Sequence, residues 1–202
     1  MSSSKLQYVK HAVIVAAAVI IGIIAGQFIT SYKTQYLLSR EFCMTYRGID
    51  VYRCGEINRD YFIAHAYMLE SAPDVLVECC TDMYFVGGKM SVPIVGTDGR
   101  ALGLTQDSTI YIATDSFNAD VIYHELFHAY DNAHGKFSES EEFLAIFAKE
   151  KDKLFVGVLD ESAYPEEFFA TAGAEYLLAP QKLKTIAPES YEYIDNLIKY
   201  YD

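Results

Sequence analysis

Apolar and polar positions alternate differently along the two parts of this chain. From Ala12 to Ile29 no side chain carries a formal charge, and only Gly22, Gly26 and Gln27 interrupt a run of Ala, Val, Ile and Phe. Eighteen residues at a rise of about 1.5 Å make about 27 Å of helix, enough to cross a hydrocarbon core. Beyond it the polar, Tyr-containing stretch Ser31–Arg47 reads as a tether that continues this helix, and shorter apolar runs follow. Gly48–Cys54 alternates as a strand does. Val75–Cys79, Met83–Val86, Val92–Val95, Ala101–Thr105 and Thr109–Ala113 are β-rich runs, with turn signals at Gly87-Gly88 and Asp98-Gly99. Together they predict a small, mostly antiparallel sheet whose free edge, best supplied by Thr109–Thr114, suits an extended peptide.

Helical spacing takes over where the strands stop or break. Asn58 is a cap for a helix that runs to Leu69 or Glu70 and ends before Pro73. A second helix covers about Asn118–Asn132, capped by Ser116 or Asn118, with Gly135 as its stop and Val121, Ile122, Leu126, Phe127 and Ala129 as its packing surface. Ser138 with Glu141 forms a capping box for a helix to about Lys153, whose solvated face carries Glu139, Glu141, Glu142 and Glu150. Pro165 suits the first turn of another. The fold class expected is α+β: one N-terminal transmembrane helix in residues 1–34, then a domain over 35–202 with a small sheet, a central helix and C-terminal helices.

The apolar run admits two uses. Lys5 and Lys10 before it favour a cytoplasmic N-terminus and an exported remainder, although Lys33 and Arg40 weaken that bias. A cleaved secretory signal also fits, with small residues at Ala25 and Gly26. The run exceeds the usual apolar core of such signals, about 7–15 residues, which favours an uncleaved anchor in the membrane through residues 12–29. Either use places residues 35–202 outside the cytoplasm, surface-anchored or secreted.

Cysteine count points to the same compartment. Cys43, Cys54, Cys79 and Cys80 are even in number and lie beyond the apolar run, as disulfides in an oxidising compartment require. Bonds from Cys79 and Cys80 to Cys43 and Cys54 are expected, in no fixed pairing, because neighbouring cysteines pair only with strain. The formal charge of -12 excludes a nucleic-acid partner, which needs clustered Lys and Arg.

The chemistry lies in His124-Glu125-Leu126-Phe127-His128, an H-E-x-x-H pattern on the central helix. Residues four apart stand one turn above each other, so both imidazoles can grip one divalent ion while Glu125 sits beside it. Neutral imidazole suits zinc, and a water in an open position would have a pKa near ~7, within reach of Glu125 as general base. The expected activity is that of a zinc endopeptidase acting on a peptide or protein substrate. Asp131, three residues after His128, lies on the same side and is a candidate to accept an imidazole N–H. His65, amid Tyr61, Tyr67 and Met68, reads as a packed histidine. A third ligand must come from another element. Glu166 and Glu167 both suit, and periodicity does not separate them.

From Ser108 to Tyr201 the chain resembles the catalytic domain of anthrax lethal factor and the related Pro-Pro endopeptidases, a zincin-like family of zinc metallopeptidases. The resemblance runs through His124–Asp131, Glu142–Glu150, Glu167-Phe168-Phe169-Ala170, Leu183–Pro188 and Tyr193–Ile198, in that order and at similar spacing. It implies that Glu167 is the third zinc ligand. Two positions depart from the family: Asp160 stands where a tyrosine would stabilise the oxyanion, and Thr171 stands where lethal factor has a glutamate. Tyr164 is the substitute candidate for the oxyanion role. The missing tyrosine leaves, as the alternative function, a zincin-fold binding or toxin-like module with little or no turnover.

Overall fold

The computed structural model of the protein describes residues 40–88, 90–91, 100–115, 117–154 and 164–201. Strand β1 (Arg40–Tyr46) returns as β2 (Ile49–Cys54) through Arg47 and Gly48, whose φ angles of 49° and 83° are the left-handed pair that lets a two-residue turn follow strand twist. Asn58 opens α1 (Arg59–Glu70), its Oδ1 accepting the N–H groups of Asp60 and Tyr61 at 3.0 and 3.2 Å. After Pro73 come α2 (Asp74–Val77), β3 (Asp82–Val86), the short pair β4 (Met90–Ser91) and β5 (Arg100–Ala101), then β6 (Gly103–Gln106) and β7 (Thr109–Ala113). The rest is helical: α3 (Val121–Ala133), a 3-10 turn (Phe137–Glu139), α4 (Glu141–Leu154), α5 (Pro165–Leu178), α6 (Pro180–Ile186) and α7 (Pro188–Tyr201).

The main sheet has the order β1-β2-β3-β7-β6. Its outer pairs are hairpins and antiparallel, while β2-β3 and β3-β7 are parallel. Parallel pairing follows from connectivity, since the chain travels back through α1 and α2 before β3 and along the antiparallel β6 before β7. On one face Val51, Met83, Phe85, Ile110 and Ile112 join Leu126, Phe127, Phe168 and Phe169 in the core. On the other, Tyr52, Tyr84 and Tyr111 sit in register on successive strands and stack at 4.8 and 5.0 Å.

The helices meet through aromatic rings. Phe127 of α3 and Phe143 of α4 each stand edge-on to Phe169 of α5, at 5.8 and 5.2 Å. Beside them Gly173 of α5 faces the Phe127 ring so closely that a Cβ there would lie under 3.0 Å from Cγ, Cδ1 and Cδ2.

Several expectations need correction. The anchor expected over residues 12–29 lies outside the described residues. Among those described no helix is long and apolar enough to cross a membrane. The longest, α4, α5 and α7, have 14 residues each, about 21 Å, and all carry charges. The transmembrane element of the fold class, the membrane partner and the single-pass membrane topology drawn from them are therefore not supported. The cysteine argument falls with them: none of Cys43, Cys54, Cys79 and Cys80 is in a disulfide, and the Cys79 and Cys80 thiols donate to Val75 O and Asp82 O instead.

The sheet is mixed, not mostly antiparallel, because its central neighbours are joined by long returns and not by hairpins. Residues 40–46 form β1, where a helical tether was expected. Val75–Val77 are helical despite their β-branched side chains, since Pro73 starts a turn whose three apolar residues are all buried. The expected strand Val92–Val95 and the Asp98-Gly99 turn lie outside the described residues. Ser140, and not Ser138, caps α4, its hydroxyl accepting the Phe143 N–H at 3.1 Å. Glu150 is 1% exposed instead of solvated: it accepts the N–H and hydroxyl of Ser190 at 2.9 and 2.7 Å, holding the first turn of α7.

Replacing Gly173 with Ala should destabilise the fold. Helix propensity favours Ala by about 1 kcal/mol, but overpacking against Phe127 costs about 1–3 kcal/mol and the ring has aromatic neighbours on α5. Urea unfolding of Gly173→Ala should show a lower midpoint at unchanged slope. A midpoint at or above the unsubstituted value would mean that the ring moves aside freely.

Candidate active site

Helix α3 sends its side chains in three directions. Leu126, Phe127, Ala129 and Tyr130 enter the core. Glu125 points towards β6, and His124 and His128 point towards the start of α5. Pro165 in the first turn of α5 places Glu166 and Glu167 there, and Phe168 and Phe169, both fully buried, fix the rotation that turns Glu167 to the histidines.

Three ligand atoms converge. His124 Nε2 lies 3.0 Å from His128 Nε2 and 3.2 Å from Glu167 Oε2, and His128 Nε2 lies 3.5 Å from Glu167 Oε1. A tetrahedral zinc ion with bonds of about 2.0–2.1 Å holds its ligand atoms about 3.3 Å apart, and the three spacings, which use both Glu167 oxygens, lie near that value. The donor set, two imidazoles and a carboxylate, also suits zinc. Among the described residues the cluster has no fourth ligand. The side chains keep 22%, 16% and 32% of their exposure, so the remaining side is open, as in catalytic and not structural zinc sites.

The electrostatics favour a cation at this point. Burial would lower the basicity of His124, but the Glu167 hydrogen bond and the charges of Glu125, Glu167 and Asp120 outweigh it and raise its pKa. Burial would raise Glu167, yet its bonds to His124 and His128 and their charge hold it well below the usual carboxylate range. Two acids and two imidazoles facing one another attract a proton when no metal competes for the same lone pairs.

Glu125 is 5% exposed, and burial pushes its carboxyl up against the opposing pull of the His124 and His128 charges and of a Thr105 hydrogen bond. Thr105 Oγ1 donates to Glu125 Oε2 at 2.6 Å. Two residues earlier on β6, a Cβ at Gly103 would fall under 3.0 Å from Oε1, Cγ and Cδ of the same side chain. An edge strand with one side chain missing and one hydroxyl present thus forms the floor under Glu125.

The other candidates fall in different places. Asp131 is 1% exposed and does not reach an imidazole: its Oδ1 and Oδ2 accept the Ser138 N–H and hydroxyl at 2.9 and 2.6 Å, fixing the 3-10 turn. Tyr164 is the residue before α5, 55% exposed, one turn ahead of Glu167. Glu166 is not in the ligand cluster. Asp160 lies outside the described residues. His65 is fully buried among Phe85 and Phe117, neither ring nitrogen has a hydrogen-bond partner among the described residues, and burial lowers its pKa to about 4, so it is a packed neutral side chain.

The edge strand of the sheet beside α3 is β6, not β7, which pairs on both sides. Sequence reasoning missed Thr105 and Gly103. Their signal is weak, a glycine and a threonine two apart in a short strand, and only the tertiary contact gives it meaning. An apolar groove of about 410 Å³ between β1, β2 and α1, lined by Met44, Tyr46, Phe62, Ile63 and Tyr67, lacks the convergent polar groups that catalysis needs.

Comparison with known proteins bears on the family and the fold. Residues 89–197 match the family described as anthrax toxin lethal factor, N- and C-terminal domain, over more than half of the chain. A Pro-Pro endopeptidase of Clostridioides difficile (strain 630) is 39% identical over 93 residues, which are 42% of this chain and 39% of that protein. The chain thus matches well under half of that relative's length. The solved structure of the Pro-Pro endopeptidase PPEP-2 from Paenibacillus alvei aligns with a TM-score of 0.58 at 23% identity, covering 73% of this chain and 96% of that one. At that identity the likeness is one of fold.

The raised His124 pKa has a definite sign for metal binding. A protonated imidazole cannot ligate, so apparent zinc affinity should fall as pH drops, beginning above the ordinary histidine value of 6.5. Competition with a chromophoric chelator between about pH 8 and pH 5 should show that loss. An affinity that stays flat across the range would mean that His124 is not a ligand.

Proposed function

The chain belongs to the anthrax toxin lethal factor family, and on that premise, together with the spacing of its histidine and glutamate side chains, we propose that it is a zinc-dependent endopeptidase. The observation that carries the reading is the convergence of His124, His128 and Glu167 within 3.0–3.5 Å, with the buried Glu125 carboxylate beside them. Zinc, when bound, would supply Lewis acidity and lower the pKa of a coordinated water towards ~7.

The side chains of this protein then have distinct tasks. His124, His128 and Glu167 hold the ion. Glu125, whose carboxyl burial makes more basic than a solvated glutamate, takes a proton from the attacking water and delivers it to the leaving amine. Tyr164 is proposed as a donor to the developing charge on the scissile carbonyl oxygen, replacing the tyrosine that position 160 lacks; its place one turn before Glu167 supports this. The outer edge of β6 would take an extended peptide by main-chain hydrogen bonds, alongside Glu125. The names of the relatives make peptides with a Pro-Pro bond the first substrates to try.

Asp160 is the one feature that favours a second reading, a zinc-loaded binding module without turnover. Library cleavage profiling of the zinc-loaded chain, with Pro-Pro peptides included, separates the two. Cleavage that a chelator abolishes and zinc restores is expected; stoichiometric zinc with no cleaved peptide would establish the binding module.

Glu125→Gln should retain zinc and lose at least about 100-fold in kcat. Wild-type turnover in that variant would remove Glu125 from the chemistry. Tyr164→Phe should lower kcat by about 10- to 100-fold with KM little changed, and an unaltered rate would leave Tyr164 as surface.

A further inference from the structure

Thr105 has one hydroxyl proton and two acceptors in reach: Glu125 Oε2 at 2.6 Å and the Glu125 backbone carbonyl at 3.0 Å. A hydroxyl bonded to a carboxylate lies at about 2.5–2.7 Å, so the shorter contact is the charge-assisted bond and the proton points to Oε2. Oε1 takes no hydrogen bond from any described residue. It lies instead over Gly103, where a Cβ would occupy nearly the same space. Gly103 and Thr105 are two apart on β6 and therefore share the strand face turned to α3.

We propose that Thr105 is a positioning residue for the proton carrier: its hydroxyl anchors Glu125 Oε2, so that Oε1, in the gap left by Gly103, is the oxygen that takes and returns the proton. This rests on Glu125 being the general base. The balance is simple. An O–H bond of water breaks as one forms at Oε1, and the reverse transfer to the leaving nitrogen restores the carboxylate. Oε2 is an acceptor in both states, first as half of a carboxylate and then as the carbonyl of the acid, so the Thr105 bond persists through the cycle. Without it the carboxylate can rotate about its last bond and share the proton between two poorly aimed oxygens.

The test uses the zinc-loaded full chain and the best peptide from the library profiling. Thr105→Val should lower kcat about 10- to 100-fold, with KM and zinc content unchanged, and Thr105→Ser should recover to within about threefold of wild type. Should the valine variant fail to fold, Ser against Ala at the same position gives the same comparison. A second readout needs no turnover. The infrared difference between wild type and Thr105→Val should contain a carboxylate band, and that band should vanish when both are measured in a Glu125→Gln background. Wild-type kcat in Thr105→Val, a loss that serine does not restore, a change confined to KM, or a carboxylate band that persists in the Glu125→Gln background would each overturn the proposal. Full activity in Glu125→Gln alone would instead overturn the reading on which it rests.

Discussion

Where α5 meets α3, Gly173 presents no side chain to the Phe127 ring, and none would fit. Helix axes lie about 8–10 Å apart depending on the side chains at their contact, so a glycine against an aromatic face lets the pair close towards the small end of that range. Glu167 is six residues before Gly173 on the same helix, under two turns away. The contact therefore governs how near the Glu167 carboxylate comes to imidazoles that are 43 and 39 positions earlier in the chain. Phe168 and Phe169, both buried against Phe143, remove the remaining freedom by fixing the rotation of α5.

Three buried acids differ in how fully their oxygens are engaged. Asp131 accepts from the N–H and hydroxyl of Ser138, and Glu150 accepts from Ser190 N–H, Ser190 hydroxyl and Glu189 N–H. Both oxygens of each are engaged, which suits a group that must stay put. Among the described residues Glu125 has one side-chain donor, on Oε2 only, and on the proposed reading its other oxygen is kept for a transferable proton. Its neighbourhood also differs in sign: burial raises its carboxyl while two imidazoles oppose the rise. His65 is the contrasting case, a histidine whose ring nitrogens have no hydrogen-bond partner among the described residues and which burial keeps neutral.

The site was legible in proportion to how local its signals are. The two histidines of H-E-x-x-H are four positions apart on one helix, and their geometry follows from the pitch. Asn58, Pro165 and the apolar stripe of α3 are equally local, and the elements they mark are present, although α3 starts at Val121 after Asp120 and not at a Ser116 or Asn118 cap. Glu166 and Glu167 are both acidic in the same first turn, and only the burial of the next two phenylalanines chooses between them. Parallel pairing of β2, β3 and β7, the outer place of β6, and the Gly103–Glu125 fit all depend on segments far apart in sequence. Asp131 and Glu150 misled for the same reason. A carboxylate on a helix looks alike from the sequence whether it faces water, an imidazole, or the backbone of a turn arriving from elsewhere.

On the proposed reading the ion is also a cross-link between α3 and α5. A ligand that binds only the folded arrangement adds RT ln(1 + [L]/Kd), about 2.7 kcal/mol when it is present at a hundred times its dissociation constant. That is the same size as the overpacking cost of about 1–3 kcal/mol expected for a side chain at Gly173. On that reading metal binding and helix approach are linked, because both act on the separation of α3 and α5. A change that pushes α5 outward reduces zinc affinity, and loss of zinc leaves two imidazoles and a carboxylate at 3.0–3.5 Å with only protons to hold them together. The spacing that permits hydrolysis is then the spacing that the fold and the ion must jointly maintain.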